Sequence, residues 1–179
     1  MAALTGITIA EFEKLPQALV KNKELVDGEL VDVSGNTPKH NRLKDLLVLL
    51  LVPVVEDRGL GFVISEQDYD FDGNAHGPDV SVFSKAKHPL LDPDARVQRF
   101  VPDLAIEIAS TSDTFEKLLG KATRYRRCGT TEVWLFSITL RQAIHLSDSG
   151  QTILEENDLF APEQAPGLSI RIGELLDRI

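Results

Sequence analysis

The sequence predicts a single α/β domain, spanning residues 1–179, with a mixed central β-sheet flanked by helices. Two short apolar segments, Asp79–Phe83 and Leu104–Ala109, are typical of strands, and each carries one carboxylate. A helix with an apolar face is predicted over about 113–128. The nearly continuous apolar run Glu132–Phe136 that follows it is typical of a buried central strand.

The first third of the chain carries clear start and turn signals. Thr8 with Glu11 three residues later is the pattern of a capping box, which predicts a short opening helix. The dipeptide Asp27-Gly28 separates two apolar segments, Glu24–Val26 and Glu29–Val33, and therefore predicts a β-hairpin.

A longer helix is predicted from Thr37-Pro38, since Thr is a good cap and Pro suits the first helical position. Leucines at helical spacing continue it toward Arg58-Gly59, and Pro53 is expected to kink the helix or end it early. The segment 84–101 is predicted to be an irregular loop, and long loops in compact domains are often functional. Further strands are predicted at Gly61–Ile64, Asp68–Phe71, Arg141–Leu146, Thr152–Leu154 and Leu168–Ile172, with a short helix at the end of the chain.

Composition limits the possible functions. The formal net charge of −9 argues against broad, non-specific affinity for nucleic acid, although a nuclease whose metal site needs carboxylates remains possible. The chain has one cysteine, which indicates a reducing compartment and predicts a cytoplasmic location. The longest apolar run is too short to span a bilayer, and the N-terminal residues lack the features of a secretory leader.

Asp79 and Glu107 form the first candidate site. Glu107 shares a strand face with Ala105 and Ala109, which leave room around its carboxylate. Two carboxylates on neighbouring apolar strands would repel each other unless a cation lay between them, and Mg²⁺ prefers such oxygen ligands. The alternative is a pair of strand-end acids with ordinary basic partners.

Lysines on the following helix form the second candidate group. Lys117 and Lys121 are four residues apart, so they share one helix face, and Arg124 lies near them. A lysine directed at a metal site could orient the attacking water or stabilise charge on a phosphate. The alternative is a solvated basic stripe.

Glu29 is the third candidate, because it lies on a strand face that is otherwise built of Val31 and Val33. The alternative is a strand-end glutamate whose charge reaches water.

Short segments along nearly the whole chain resemble one protein family. From the opening helix to the terminal helix, the chain resembles the Uma2-like (DUF820) family of endonucleases, whose restriction-endonuclease-like α/β core is similar to that of PD-(D/E)xK nucleases. The segments that carry the resemblance are Glu24–Leu30, Pro38–Asn41, Pro78–Val80, Pro102–Ser110, Lys121 with Tyr125 and Gly129, and Glu132–Leu135.

The resemblance implies a Mg²⁺- or Mn²⁺-dependent endonuclease that acts on DNA. It assigns Asp79 and Glu107 as the metal carboxylates, with the backbone carbonyl of Ile108 as a further ligand. It assigns Lys121 as the catalytic lysine, moved onto the helix from the strand position that Ala109 occupies here.

The resemblance also makes Glu29 the N-terminal acidic residue that supports a metal-bound water. The alternative is a non-catalytic nuclease-fold protein that acts as a binding or homodimeric interaction module, and the net charge of −9 favours it modestly. A metal-independent structural domain is a third possibility, and it requires Asp79 and Glu107 to diverge in space.

Overall fold

The computed structural model describes residues 6–33, 37–110 and 113–179. Within these residues the α-helices are α1 (Ile9–Phe12), α2 (Gln17–Val20), α3 (Pro38–Val55), α4 (Phe115–Arg127) and α5 (Ile172–Leu176), and a 3₁₀ helix covers Lys85–Leu90. The strands are β1 (Lys23–Val26), β2 (Glu29–Asp32), β3 (Gly61–Ser65), β4 (Asp68–Asp70), β5 (Ala75–His76), β6 (Val80–Ser84), β7 (Val97–Gln98), β8 (Leu104–Ile108), β9 (Glu132–Ser137), β10 (Gln142–Ser147), β11 (Gly150–Leu154), β12 (Leu159–Phe160) and β13 (Ile170–Arg171).

A six-stranded mixed sheet forms the centre of the fold, with the strand order β11-β10-β9-β8-β6-β3. The strands β8 and β9 are parallel, and their neighbours pair antiparallel. One face packs against α3 and α5 through a core that contains Leu47, Trp134 and Leu175. The other face packs against α4 through a core that contains Ala122 and Tyr125. The predicted mixed α/β sheet flanked by helices is therefore confirmed.

A second sheet was not predicted from the sequence. It has five strands in the order β2-β1-β5-β4-β7, and it packs on α1 and α2 through a separate small core. The hairpin β1–β2 was expected, and Asp27 and Gly28 have the positive φ angles, 49° and 80°, of its two-residue turn. The strand β5 was missed, because two residues inside the turn-rich segment 72–77 carry no periodic signal.

Other boundaries differ from the predictions for local reasons. Residues 84–101 are not wholly irregular, since they contain the 3₁₀ helix and β7. The cap of α4 is Thr114, so the helix begins two residues later than the predicted start at about 113. Asp113 Oδ2 instead accepts hydrogen bonds from the backbone N–H (2.8 Å) and the hydroxyl (2.7 Å) of Ser110. The predicted strand 168–172 is reduced to β13, because its last residue already begins α5.

The end of α3 differs from the predicted stop at Arg58-Gly59. The helix continues two residues past Pro53 and ends at Val55. This early end agrees with the expected effect of a proline, which removes one backbone hydrogen bond from the last turns.

Replacement of Asn74 by Ala should destabilise the five-stranded sheet. Asn74 Oδ1 accepts a hydrogen bond from the amide of Asp27 (2.6 Å), and its Nδ2 donates to the carbonyls of Phe71 (3.2 Å) and Asp72 (3.1 Å). This buried amide therefore ties the hairpin turn to the segment before β5. We expect Asn74→Ala to lower the free energy of unfolding by about 1–3 kcal/mol in urea denaturation. The exposed Asn41 provides the control substitution Asn41→Ala, and equal denaturation midpoints for the two variants would contradict this role.

Candidate active site

The two predicted metal carboxylates come together at one end of the central sheet. Asp79 immediately precedes β6, Glu107 lies in β8, and the pairing of Val80 with Ile106 places these two ends side by side. Asp79 Oδ2 accepts a hydrogen bond from the backbone N–H of Ile108 at 2.7 Å. The structure therefore brings Asp79, Glu107 and the peptide of Ile108 to one place, as the sequence predicted, and their roles in catalysis stay predictions.

Lys121 reaches this place from α4. Its Nζ lies 2.9 Å from Glu107 Oε1 and 2.8 Å from Glu24 Oε1. Lys117, one turn closer to the start of the helix, is exposed and forms no ion pair with the described residues. The structure thus separates the two lysines that the sequence left together: one lies at the carboxylates and the other faces solvent.

Glu29 does not join the carboxylates. It is an exposed residue of the edge strand β2, where it lies opposite Val26 next to the hairpin turn. The acid that the hairpin supplies is Glu24, on the inner strand β1, and only 12% of its side chain is exposed. The prediction that Glu29 lies near the site is therefore wrong, and Glu24 occupies that place instead. The physical reason is that an inner strand carries its side chains into the interior, whereas an edge-strand side chain beside a turn reaches water.

The imidazole of His76, in β5, and the backbone N–H of the next residue, Gly77, hold Glu24 in place. His76 Nδ1 lies 2.9 Å from Glu24 Oε2, and the backbone N–H of Gly77 donates to Glu24 Oε1 at 3.2 Å. A Cβ at position 77 would lie 2.9 Å from Asp68 Oδ1, so a larger residue there would require the Asp68 side chain to move. Sequence reasoning could not find His76, because its contact with Glu24 depends on the unpredicted pairing of β5 with β1.

His40 was also missed, although the sequence contains a signal for it. It lies on the same face of α3 as Leu43 and Leu47, which are core residues, and a histidine in phase with leucines faces the interior. Its Nε2 lies 3.1 Å from the carbonyl oxygen of Ile108 and 3.3 Å from Asp79 Oδ1. Because both neighbours are acceptors, these contacts favour the tautomer that carries the proton on Nε2. His40 thereby holds the carboxylate and the carbonyl in a fixed relation.

Tyr125 fixes the orientation of Glu107. Its hydroxyl donates to Glu107 Oε1 at 2.6 Å, and its ring stacks on Phe71 at a centroid distance of 4.2 Å. The hydroxyl and Lys121 both bind Oε1, while the described residues donate no hydrogen bond to Oε2. One oxygen of Glu107 is therefore held by the protein, and the other remains available to a ligand.

Burial and charge separate the acidities of the two glutamates. Burial raises the pKa of Glu107 to about 7, and the charges of Asp79 and Glu24 act in the same direction while Lys121 opposes them. Burial also acts to raise the pKa of Glu24, but Lys121 and His76 outweigh it and lower that pKa to about 2. The two carboxylates raise the pKa of Lys121 above its ordinary value against the effect of burial, so this lysine stays charged.

Neighbouring groups shift the pKa values of the histidines in opposite directions. Burial lowers the pKa of His76 despite the nearby charge of Glu24. Burial also acts to lower the pKa of His40, but the hydrogen bond and charge of Asp79 raise it above the ordinary value.

The donors present fit a hard divalent cation that keeps several waters. Asp79, Glu107 and the carbonyl of Ile108 offer only oxygen, and Mg²⁺ commonly uses one or two carboxylates together with water and a substrate phosphate. The described residues contain no group of three or more His, Cys, Asp or Glu side chains arranged to hold a metal. A cage made of side chains alone is therefore not present in this part of the chain.

Comparison with known proteins identifies the family. The Uma2 family, described as "Putative restriction endonuclease", matches residues 9–173. The chain belongs to the Uma2 family.

A solved structure shares the fold of this Uma2 protein. It is similar to the crystal structure of a "putative nuclease belonging to DUF820" from Anabaena variabilis, with a TM-score of 0.85 and 22% identity over 96% of this chain and 98% of that one. A DrdV–DNA complex aligns with a TM-score of only 0.39, at 14% identity, over 75% of this chain and 12% of that chain. No curated protein matches the chain.

In the described residues, every helix is too short or too polar to cross a membrane.

Glu107→Gln should flatten the dependence of stability on pH between about pH 4.5 and 7 in metal-free buffer. The pKa of Glu107 rises from 4.5 to about 7 on folding, so the folded state binds more protons in this window. Its contribution is present below pH 4.5 and is lost as pH rises toward 7, by on the order of 3 kcal/mol, whereas glutamine does not titrate.

Urea denaturation in EDTA at several pH values measures this difference. Glu24 does not interfere, because its lowered pKa gives a contribution that is present above pH 4.5 and is lost only as pH falls toward 2. Equal slopes for the wild type and Glu107→Gln between pH 4.5 and 7 would contradict the raised pKa of Glu107.

Proposed function

We propose that this Uma2 protein hydrolyses phosphodiester bonds in DNA with Mg²⁺ or Mn²⁺. The observation that carries the proposal is the ammonium of Lys121, which lies 2.9 Å from Glu107, while the N–H of the next residue, Ile108, binds Asp79. A buried lysine next to two carboxylates on adjacent strands places positive and negative groups where a phosphate and a cation can both be bound.

The oxygens of Asp79 and Glu107 and the carbonyl of Ile108 would hold the metal ion. When bound, such an ion lowers the pKa of its water and neutralises charge on the phosphate. The protein's own side chains would orient these oxygens and supply a hydrogen-bond donor. His40 keeps Asp79 and Ile108 oriented, and Tyr125 keeps Glu107 turned so that its Oε2 is free. Lys121 provides an N–H donor for the attacking water or for a phosphate oxygen.

Three exposed cations at the starts of α3 and α4 are compatible with a polyanionic substrate. Lys39 and Arg42 flank His40 at the start of α3, and Lys117 lies one turn before Lys121. All three are exposed, and none forms an ion pair with the described residues. Because they have no internal ion pair, they could bind substrate phosphates without breaking one. The proposed setting is the cytoplasm, and a homodimer is one arrangement that would let two such sites act on the two strands of a duplex.

Lys121→Ala should abolish metal-dependent cleavage of plasmid DNA, whereas Lys117→Ala should keep most of the activity. A single donor directed at developing charge is typically worth a factor on the order of 10²–10³ in rate, and only Lys121 has its Nζ at the carboxylates. The assay compares Mg²⁺, Mn²⁺ and EDTA for the wild type and both variants, with folding checked by circular dichroism.

Two patterns in this assay would contradict the proposal. Loss of activity in Lys117→Ala alone would show that the wrong lysine is assigned. A wild type that binds DNA without cutting it under any metal condition would favour the non-catalytic binding protein, which the net charge of −9 also allows.

Mn²⁺ should raise the melting temperature of the wild type at neutral pH, because a ligand that binds only the folded state stabilises it by mass action. Asp79→Asn should remove most of this rise, because it takes away one of the two carboxylates next to Ile108. Thermal denaturation with increasing Mn²⁺ measures the effect. An equal rise in Asp79→Asn would indicate that the ion binds elsewhere.

A further inference from the structure

Lys121 has two carboxylate partners that come from different parts of the fold. Glu107 belongs to β8 of the central sheet, and Glu24 belongs to β1 of the five-stranded sheet. The distances from Lys121 Nζ, 2.9 Å and 2.8 Å, are nearly equal. A single glutamate would satisfy the charge of the lysine, so the second one calls for an explanation.

The surroundings of the two glutamates differ. Glu107 adjoins Ile108 and lies near Asp79, so it belongs to the oxygens that would hold a metal. Both oxygens of Glu24 have protein partners among the described residues: Oε1 binds Lys121 and the backbone N–H of Gly77, and Oε2 lies 2.9 Å from His76 Nδ1. Its carboxylate is thus engaged by the protein on both oxygens, whereas Oε2 of Glu107 has no donor among the described residues.

This difference matters because Glu107 cannot bind a divalent cation and Lys121 equally well. A cation that binds Glu107 shares its negative charge and repels the nearby ammonium of Lys121. A lysine held by Glu107 alone would then be free to swing toward solvent on its flexible side chain. The charge of Glu24 is not shared with the metal, and the hydrogen bonds from His76 and Gly77 keep its carboxylate fixed.

We propose that Glu24 is the positioning residue of Lys121, which retains the ammonium beside Glu107 when a divalent cation is bound there. This proposal rests on the proposed metal-dependent nuclease activity. Glu24 acts through the lysine and touches neither the metal nor the reacting phosphate. The hairpin that carries it therefore contributes to the site, although no metal ligand lies on that hairpin.

Glu24→Gln tests the proposal, since it keeps the shape of the side chain and removes the charge that attracts Lys121. We expect kcat for plasmid cleavage to fall about a hundredfold with KM unchanged, as expected when a catalytic group is displaced by about 1 Å. Mn²⁺ affinity, measured by calorimetry, should stay at the wild-type value in Glu24→Gln and fall in Glu107→Gln. The crystal structure with Mn²⁺ should show Lys121 Nζ on Glu24 in the wild type and moved from Glu107 in the variant.

Three further variants complete the design. Glu163→Gln removes an exposed acid away from the site and is the control for loss of one negative charge. Glu24→Asp keeps the charge and shortens its reach, so kcat should fall and Mn²⁺ affinity should remain even if Glu24→Gln fails to fold. Glu29→Gln tests the rival glutamate of the same hairpin.

The outcomes separate this proposal from the proposed function. If the wild type neither cleaves nor binds Mn²⁺, both are overturned. If the wild type is active and Glu24→Gln and Glu24→Asp match it, only the positioning role fails. Loss of Mn²⁺ affinity in Glu24→Gln would make Glu24 part of the metal site, and loss of activity in Glu29→Gln alone would restore the rival; either result overturns the positioning role.

Discussion

The ion pairs of Lys121 are the contacts on which the site depends. A charge taken out of water is costly unless it is paired and hydrogen-bonded, and here one ammonium lies between Glu24 and Glu107 in a largely buried place. These contacts also join the two sheets, because each glutamate comes from a different one. Loss of Lys121 would leave two buried carboxylates without their cation, so the hairpin, the central sheet and α4 have to be positioned together.

The same contacts explain how Glu107 can bind Lys121 and still offer an oxygen to a cation. Tyr125 and Lys121 both bind Oε1 of Glu107, which leaves Oε2 without a donor among the described residues. Burial that raises the pKa of this carboxyl favours a proton in the metal-free protein, and the proposed divalent cation would supply positive charge in its place. Binding of that cation would then offset the energetic cost of keeping Glu107 buried and would couple metal binding to the stability of the folded state.

Sequence reasoning found the residues whose signals are local and missed those that depend on distant pairing. Asp79 and Glu107 follow from two apolar strands. The phase of one helix gives Lys117 and Lys121 together, and the family resemblance selects Lys121. Glu24 could not be distinguished from Glu29, because the choice depends on β1 being an inner strand, and that position is created by the two-residue strand β5. His40 differs from these, since its phase with the leucines of α3 was visible and was not used.

Stability alone does not account for this arrangement, and that favours a chemical role over a purely structural one. Buried ion pairs can often be replaced by apolar residues of similar volume without loss of stability, so a fold gains little by keeping them for packing. A protein that only binds a partner has no need for an ammonium between two buried carboxylates, with His40 aligned on the neighbouring carbonyl. Hydrolysis of a phosphodiester does need fixed charges of both signs at one point, because the phosphate, the cation and the attacking water have to be held at the same time.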